Sequence, residues 1–282
     1  MSPVTMKWST PDGDGMIAEL ARVSNPANQQ NTETAPRLIA YCIRKQHWSI
    51  FDMANMCVEI NTTRDIGRQI LRHWSMLFHD LKVQEFSQRY ADVSALGEPV
   101  FREARLQDPK NRQSSLAVGS EDPLQTAWRG TQEAAWQRAS EDYAWALDQG
   151  IAKEQARAVL PEGITPTRFY LNGTARQWIH YCTLRMTPGT QKEHRDIAEA
   201  AWQVFKSVFP TTAAASEAVE AARRDRETEI DLVLSKVAKQ FRFYEAQHRG
   251  KGSTEGAAKA ETNRRIAEEI ETFIRRREGQ SA

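Results

Sequence analysis

ANMCVEINTTRDIGRQILRH, residues 54–73, changes its period halfway along. In the first half Met56, Val58 and Ile60 point one way while Cys57, Glu59 and Asn61 point the other, the two-residue alternation of a strand. Thr62 or Thr63 is then placed to cap a helix RDIGRQILRH, with Asp65 in its first turn beside the positive end of the helix dipole. A second strand is read in VQEFSQRYADV, 83–93.

Working outward, a helix is expected to start near Pro36, because Leu38/Cys42 and Ile39/Ile43 have i,i+4 spacing. Residues 98–123 are Pro-rich and polar, which predicts a long surface connection. A long helix follows from about Pro123 to Gly150, with Trp128, Ala135, Ala139, Tyr143 and Ala146 on one stripe. KEQARAV forms a shorter helical segment that ends before Pro161. Two more helices run from about Thr174 to Met186 and from His194 to Val208, the latter with Ile197, Ala201 and Phe205 inward. Residues 216–282 are rich in Ala, Glu and Arg, with a break at HRGKGSTEG, 248–256, and read as charged helices appended to a body at 1–215. No internal repeat, P-loop or dinucleotide-binding glycine fingerprint is found.

Lys plus Arg (38) nearly balances Asp plus Glu (37), so no global field favours nucleic acid or an anionic membrane. Three cysteines without metal or disulfide spacing fit a reducing cytosol, and no apolar run approaches a bilayer span. The composition predicts a soluble cytoplasmic protein. A local Arg cluster for an anionic small molecule is compatible with this balance.

RHWSMLFHDLKVQEFSQRY, residues 72–90, supplies such a cluster. Gln69, Arg72 and His73 are related by i,i+3 and i,i+4 spacing and so share a helix face. Strand alternation would set Glu85, Ser87 and Arg89 on one face, with Phe86 on the other. An inward row of Glu, Ser and Arg is costly unless something polar fills the space beside it, and paired guanidinium forks suit a phosphate. The alternative is a solvated face with surface salt bridges, the weaker reading for so dense a group.

These residues resemble the signature of the flavin-dependent thymidylate synthases, Arg-His-Arg, a spacer, then Glu-x-Ser-x-Arg-Tyr. HWSIFD (47–52), QARAVLP (155–161) and FYLNGTARQWIHYCTLRM (169–186) are similar to three further blocks of that family, in the same order. The resemblance covers about residues 15–210. It implies an α+β fold with a central antiparallel sheet flanked by helices, here followed by a helical C-terminal extension. It also implies C5 methylation of a uridine monophosphate, with FAD as cofactor and NADPH and 5,10-methylenetetrahydrofolate as co-substrates. A homotetramer with sites shared between subunits is expected, and neither nucleic acid nor membrane as a partner.

By the same resemblance the nucleotide would meet Gln69, Arg72, Glu85, Phe86, Ser87, Gln88, Arg89, Arg157 and Arg185. Arg185 would act on the ionised uracil ring as the catalytic residue, and Arg72, Arg89 and Arg157 on phosphate and sugar. The flavin would meet His47, Ser49, Arg72, His73, Trp74, Glu85, Thr174, Arg176 and His180. His180 and Arg185, five apart on one helix, point about 140° apart, which suits two ligands better than one.

Trp74 stands where the family has its second Arg, and it either stacks on a ring or anchors its surroundings. The spacer is longer than the family's, so a longer loop around MLFHDL is expected beside the nucleotide. That loop makes the branch methylating UMP as well as dUMP, of the polyoxin type of antibiotic pathway, the leading reading. A dUMP-specific thymidylate synthase and a non-catalytic nucleotide- or RNA-binding relative are its rivals. No cysteine lies in a nucleophile motif, and His73 and His79 lack a third ligand at metal spacing, so neither thiolate catalysis nor a metal is expected.

Overall fold

The computed structural model describes residues 2–78, 82–249 and 254–281. Its contacts divide the chain into two units, 1–214 and 215–282.

The first unit is built on a four-stranded antiparallel sheet of β1 (Val4–Ser9), β2 (Asn55–Thr63), β6 (Pro166–Thr174) and β3 (Lys82–Glu85), in the spatial order β1-β2-β6-β3. β2 alternates as its sequence predicts. Met56, Val58 and Ile60 are fully buried, and they face Gly173, Leu171 and Phe169 across the β2–β6 register. β1 is an edge strand whose register slips between Met6 and Trp8, so Met6 lies opposite Val58 and Trp8 opposite Cys57.

α3 (Arg64–Phe78), α6 (Ala175–Arg185) and α7 (Lys192–Val208) pack against the sheet and one another. Ile66, Ile70 and Trp74 bury one stripe of α3, while Ile197, Ala201 and Phe205 bury one stripe of α7. α6 begins with a reciprocal capping box, in which Thr174 accepts from the Gln177 backbone and Gln177 reaches back to the Thr174 backbone. α1 (Gly13–Ala21) and α2 (Ala35–Arg44) precede β2, with a 3₁₀ turn at Trp48–Asp52 leading into it.

Between β3 and β6 the chain forms a short hairpin, β4 (Arg105–Gln107) and β5 (Ser115–Ala117), then α4 (Pro123–Asp148) and α5 (Lys153–Ala156). Asp122 caps α4 by accepting from the Leu124 N–H. α8 (Pro210–Arg249) starts at the end of this unit, where the Asp14 carboxylate accepts from the Thr211 and Thr212 N–H groups. The second unit comprises the rest of α8 and α9 (Thr254–Ser281), joined by ion pairs of Arg242 with Glu268 and Glu271.

Several sequence expectations are corrected. The strand read at 83–93 ends at Glu85, with the Phe86 N–H donating to the Arg168 carbonyl as the last ladder contact, because the backbone then turns rather than continuing beside Thr167 and Pro166. From Ser87 the backbone turns instead, with Tyr90 and Ala91 N–H donating to the Ser87 carbonyl. The 98–123 connection carries the β4–β5 hairpin and sends two arginines inward. The α4 stripe is buried only at Ala139, Tyr143 and Ala146, whereas Trp128 and Ala135 are exposed. The extra residues after Trp74 do not all form a loop, since α3 continues through Phe78; the rest of MLFHDL, with His79, lies outside the described residues. β1, α1 and β6 were not anticipated.

Candidate functional site

The first cluster lies where α3, the end of α6 and the start of α7 meet. Gln69 and His73, one turn apart on α3, both turn toward it, while Arg72 is exposed. Gln69 Nε2 donates to Gln191 Oε1 at 2.8 Å, and His194 Nδ1 lies 3.3 Å from Gln69 Oε1. Arg185, the last residue of α6, donates from Nε to His73 Nδ1 at 2.9 Å.

Burial, then the Arg185 charge, lowers the His73 pKa to about 4. Burial, Arg185 and His73 together lower that of His194 to about 3. Both imidazoles are therefore neutral at pH 7. A neutral His73 is what accepting from a guanidinium requires. Burial also lowers the Arg185 pKa, with nearby Tyr181 opposing and Arg72 adding to the effect; an arginine starting from 12.5 stays cationic. Tyr181 packs between the imidazoles, with ring centroids 5.3 Å from His73 and 5.8 Å from His194. Its hydroxyl and His194 Nε2 are buried without a hydrogen-bond partner among the described residues.

The Glu85 region is arranged differently from the expected single face. Glu85 ends β3, and its carboxylate accepts from Thr167 Oγ1 at 2.9 Å and Arg68 Nη1 at 3.1 Å. Phe86 is half-buried, Ser87 is exposed and Gln88 is buried, so the turn splits the residues that a strand would have aligned. Arg89 donates to Glu154 at 3.0 Å in an exposed pair, and Arg157 donates to the Glu154 carbonyl at 3.3 Å. Exposed ion pairs of this kind are weak, so an anion can exchange for Glu154 at little cost. The structure thus brings Arg89 and Arg157 together around α5, with Glu85 tied to α3 through Arg68.

The second cluster surrounds the 3₁₀ turn at Trp48–Asp52 and the start of α6. Asp52 accepts from Thr174 Oγ1 at 2.9 Å and from Arg176 Nη1 at 3.1 Å. The His180 ring meets Trp48 edge-on at 4.4 Å, and burial, then Arg176, lowers its pKa against the opposing charge of Asp52. His47 and Ser49 are exposed beside them. His180 therefore faces this cluster and Arg185 the first, as their helical spacing implies. The half-buried Arg176, the exposed Ser49 hydroxyl and the Trp48 and His180 ring edges suit an anionic, aromatic cofactor such as a flavin dinucleotide.

Trp74 is fully buried, its ring against Trp178 at 4.8 Å and Tyr181 at 5.7 Å. It anchors the core, the second of its two sequence readings, and its ring is not a platform for a cofactor. Burial raises the thiol pKa of Cys42, Cys57 and Cys182, the opposite of nucleophile activation. Among the described residues no group of His, Cys, Asp and Glu is placed to hold a metal ion, and no helix is long and apolar enough to cross a membrane. A cleft of about 450 Å³ between α1 and α2, lined by Arg22, Ser24, Asn28 and Arg37, contains none of the candidate residues.

Sequence reasoning missed Glu193, Gln191, His194, Tyr181 and Arg102 as parts of the first cluster. Their signal was faint, since Glu193 and His194 lie in an amphipathic helix, Gln191 just before it, Tyr181 inside another helix and Arg102 in a polar connection.

Residues 6–211 match the family described as thymidylate synthase complementing protein. The chain is 50% identical over 200 residues to a probable flavin-dependent thymidylate synthase of Paramecium bursaria Chlorella virus 1, covering 71% of this chain and 88% of the relative. It is 48% identical over 204 residues to the flavin-dependent thymidylate synthase of a Synechocystis species, covering 72% and 89% respectively. Among solved structures it is similar to a UMP/dUMP methylase of Streptomyces cacaoi bound with 5-Br dUMP, at a TM-score of 0.64 and 28% identity, covering 76% of this chain and 94% of that one.

Proposed function

We propose that this chain, which belongs to the thymidylate synthase complementing protein family and is a flavin-dependent thymidylate synthase, methylates C5 of dUMP to give dTMP. The observation that carries the reading is the Arg185–His73 pair, which holds a cation on a neutral, buried support with the exposed Arg72 close by.

Arg72, Arg89 and Arg157 bind phosphate and sugar, and Glu85, Phe86, Ser87 and Gln88 border the nucleotide. Gln69 offers its carboxamide to it. Arg185 stabilises the negative charge that develops on the uracil ring, where a fixed cation in a partly buried site acts more strongly than in water. His73 holds the Arg185 Nε, so the guanidinium is oriented before substrate arrives. With every thiol raised by burial, no cysteine attacks the ring.

Thr174, Arg176 and His180, organised by Asp52, would hold FAD together with His47, Ser49, Arg72, His73 and Glu85. When bound there, the flavin would supply the reducing equivalents, drawn from NADPH, for turning the one-carbon unit of 5,10-methylenetetrahydrofolate into a methyl group. The two clusters face apart on α6, which supports sites completed between subunits of a homotetramer. Residues 1–215 form the catalytic domain and 216–282 a charged helical extension.

The reading that includes UMP has less support. The roughly half-identical relatives are named as thymidylate synthases, and the UMP/dUMP methylase is more distant. Part of the extra segment that suggested a wider sugar pocket is helix. The test is a purified protein with a flavin absorbance spectrum that, given dUMP, methylenetetrahydrofolate and NADPH, yields a product 14 mass units heavier than dUMP (about the mass of one CH₂). A colourless protein that neither binds added FAD nor forms this product would contradict it.

A further inference from the structure

The Glu193 carboxylate sits at the start of α7 as the acceptor at one end of a polar chain. Oε1 accepts from Arg105, and Oε2 accepts from Gln191 Nε2 at 2.9 Å and is ion-paired with Arg102 at 3.3 Å. Burial alone would raise its pKa, but hydrogen bonds from Arg105, the α7 backbone and Gln191, with the Arg102 charge, hold it below the usual carboxylate range. Ionised, it can only accept.

That single fact fixes the polarity of everything beyond it. Gln191 has to turn its N–H toward Glu193, and it therefore presents Oε1 to Gln69. Gln69 in turn gives Nε2 to Gln191 at 2.8 Å, which leaves its Oε1 facing His194 Nδ1 at 3.3 Å. His194 must then carry its proton on Nδ1. Reversing any one amide would set donor against donor or acceptor against acceptor in a part-buried setting. The chain is also anchored on α3, since Arg102 donates to both Asp65 oxygens at 2.7 and 2.9 Å and to Thr63 at 2.8 Å. It thus ties the start of α3 to the start of α7.

We propose that Glu193 is a positioning residue that, through Gln191, dictates which end of the Gln69 carboxamide is presented to the nucleotide. This rests on the proposed function only in placing the nucleotide beside Gln69. A carboxamide is nearly symmetric in shape but opposite in polarity at its two ends. A free one presents the wrong end to a pyrimidine or sugar part of the time, whereas a locked one does not. Gln69 keeps one N–H and one oxygen lone pair beyond those used in the chain, and their directions are set by Glu193.

The experiment uses the full-length protein with FAD, labelled with ¹⁵N-histidine. In the wild type the His194 ring, identified by its loss in His194→Gln, should show the proton on Nδ1. Glu193→Gln, which can donate as well as accept, should let the chain invert, shift the His194 proton toward Nε2 and weaken dUMP binding about tenfold. The kcat at saturating dUMP should stay within about threefold and the flavin spectrum should not change. Gln191→Met, which cuts the chain without adding a donor, should weaken dUMP binding to a similar degree. A wild-type His194 protonated on Nε2 overturns the proposal even if neither variant folds. So does a folded Glu193→Gln protein with wild-type dUMP affinity. Wild-type protein that does not bind dUMP contradicts the functional reading instead, and the histidine spectrum still decides the polarity of the chain.

Discussion

Replacing Gly173 by alanine tests the packing on which both clusters depend. Gly173 lies at the end of β6, next to Thr174, and pairs with Met56 in the sheet. A Cβ there would stand 2.3 Å from Trp74 Cη2, 2.5 Å from Cζ3 and 3.1 Å from Trp178 Nε1. Carbon contacts settle near 3.5–4.0 Å, so the Trp74 ring must retreat by more than about 1 Å. It has little room, being fully buried against Trp178 and Tyr181. Nor is Trp178 free to yield, because its Nε1 donates to the Met56 carbonyl at 2.9 Å. Overpacking of a tight core costs ~1–3 kcal/mol, and straining the indole hydrogen bond adds about 1 kcal/mol. We expect a loss of about 3 kcal/mol, or roughly 6–12 °C in Tm for a cooperative unit of about 200 residues. Urea and thermal unfolding followed by circular dichroism would measure it. In a Trp74→Leu background the methyl finds space, and the same change should cost about 1 kcal/mol or less, a coupling of ~2 kcal/mol. A Gly173→Ala protein as stable as wild type, or costs that simply add in the double variant, would mean that Trp74 does not confine position 173.

Three further outcomes are expected. Arg185→Ala should lower kcat by roughly 10²–10³, about 3–4 kcal/mol, with a smaller effect on dUMP binding, whereas Arg89→Ala should mainly raise KM; steady-state kinetics separate the two. Asp52→Ala removes the acceptor of Thr174 and Arg176 in a partly exposed site, so FAD affinity, followed by the flavin absorbance retained on dilution, should fall about tenfold. Acidification should destabilise the fold, because His73 and His194 have folded pKa values of about 4 and about 3. The unfolded chain, with values near ~6.5, takes up protons first as pH falls, so stability present at pH 7 is lost progressively below ~6.5. At pH 5 each imidazole accounts for ~2 kcal/mol of that loss. Urea midpoints at pH 7 and pH 5 should therefore lie closer together in His194→Gln than in the wild type.

Much of the architecture was legible in the sequence wherever one period ran long enough. β2 alternates over nine residues and buries the expected row, and α2, α4, α6 and α7 lie close to their predicted spans. β6 was hidden because its residues were read as a motif block rather than as alternation, although Phe169 and Leu171 are buried and Tyr170 is exposed. The false strand beyond Glu85 shows the limit of local patterns. VQEFSQRY alternates well enough, but the backbone turns at Ser87, and β3 pairs with β6 only from Lys82 to Glu85. In the site, the arginines, Gln69, His73 and Thr174 could be named from local motifs. What held them could not. Arg185 meets His73 across 112 positions and Gln69 meets Gln191 across 122, separations at which a single sequence carries no pairing signal.

If the Arg185–His73–Gln69 cluster serves methylation of dUMP, the enzyme distinguishes dUMP from UMP. Parallel assays with dUMP and UMP, each with FAD, NADPH and methylenetetrahydrofolate, test it most directly, with the methylated product quantified by mass spectrometry. The expected result is dTMP formation with kcat/KM for dUMP more than about tenfold above that for UMP, a difference exceeding ~1.4 kcal/mol in transition-state binding. Equal turnover of UMP, or no methylated product from either nucleotide with FAD bound, would contradict it.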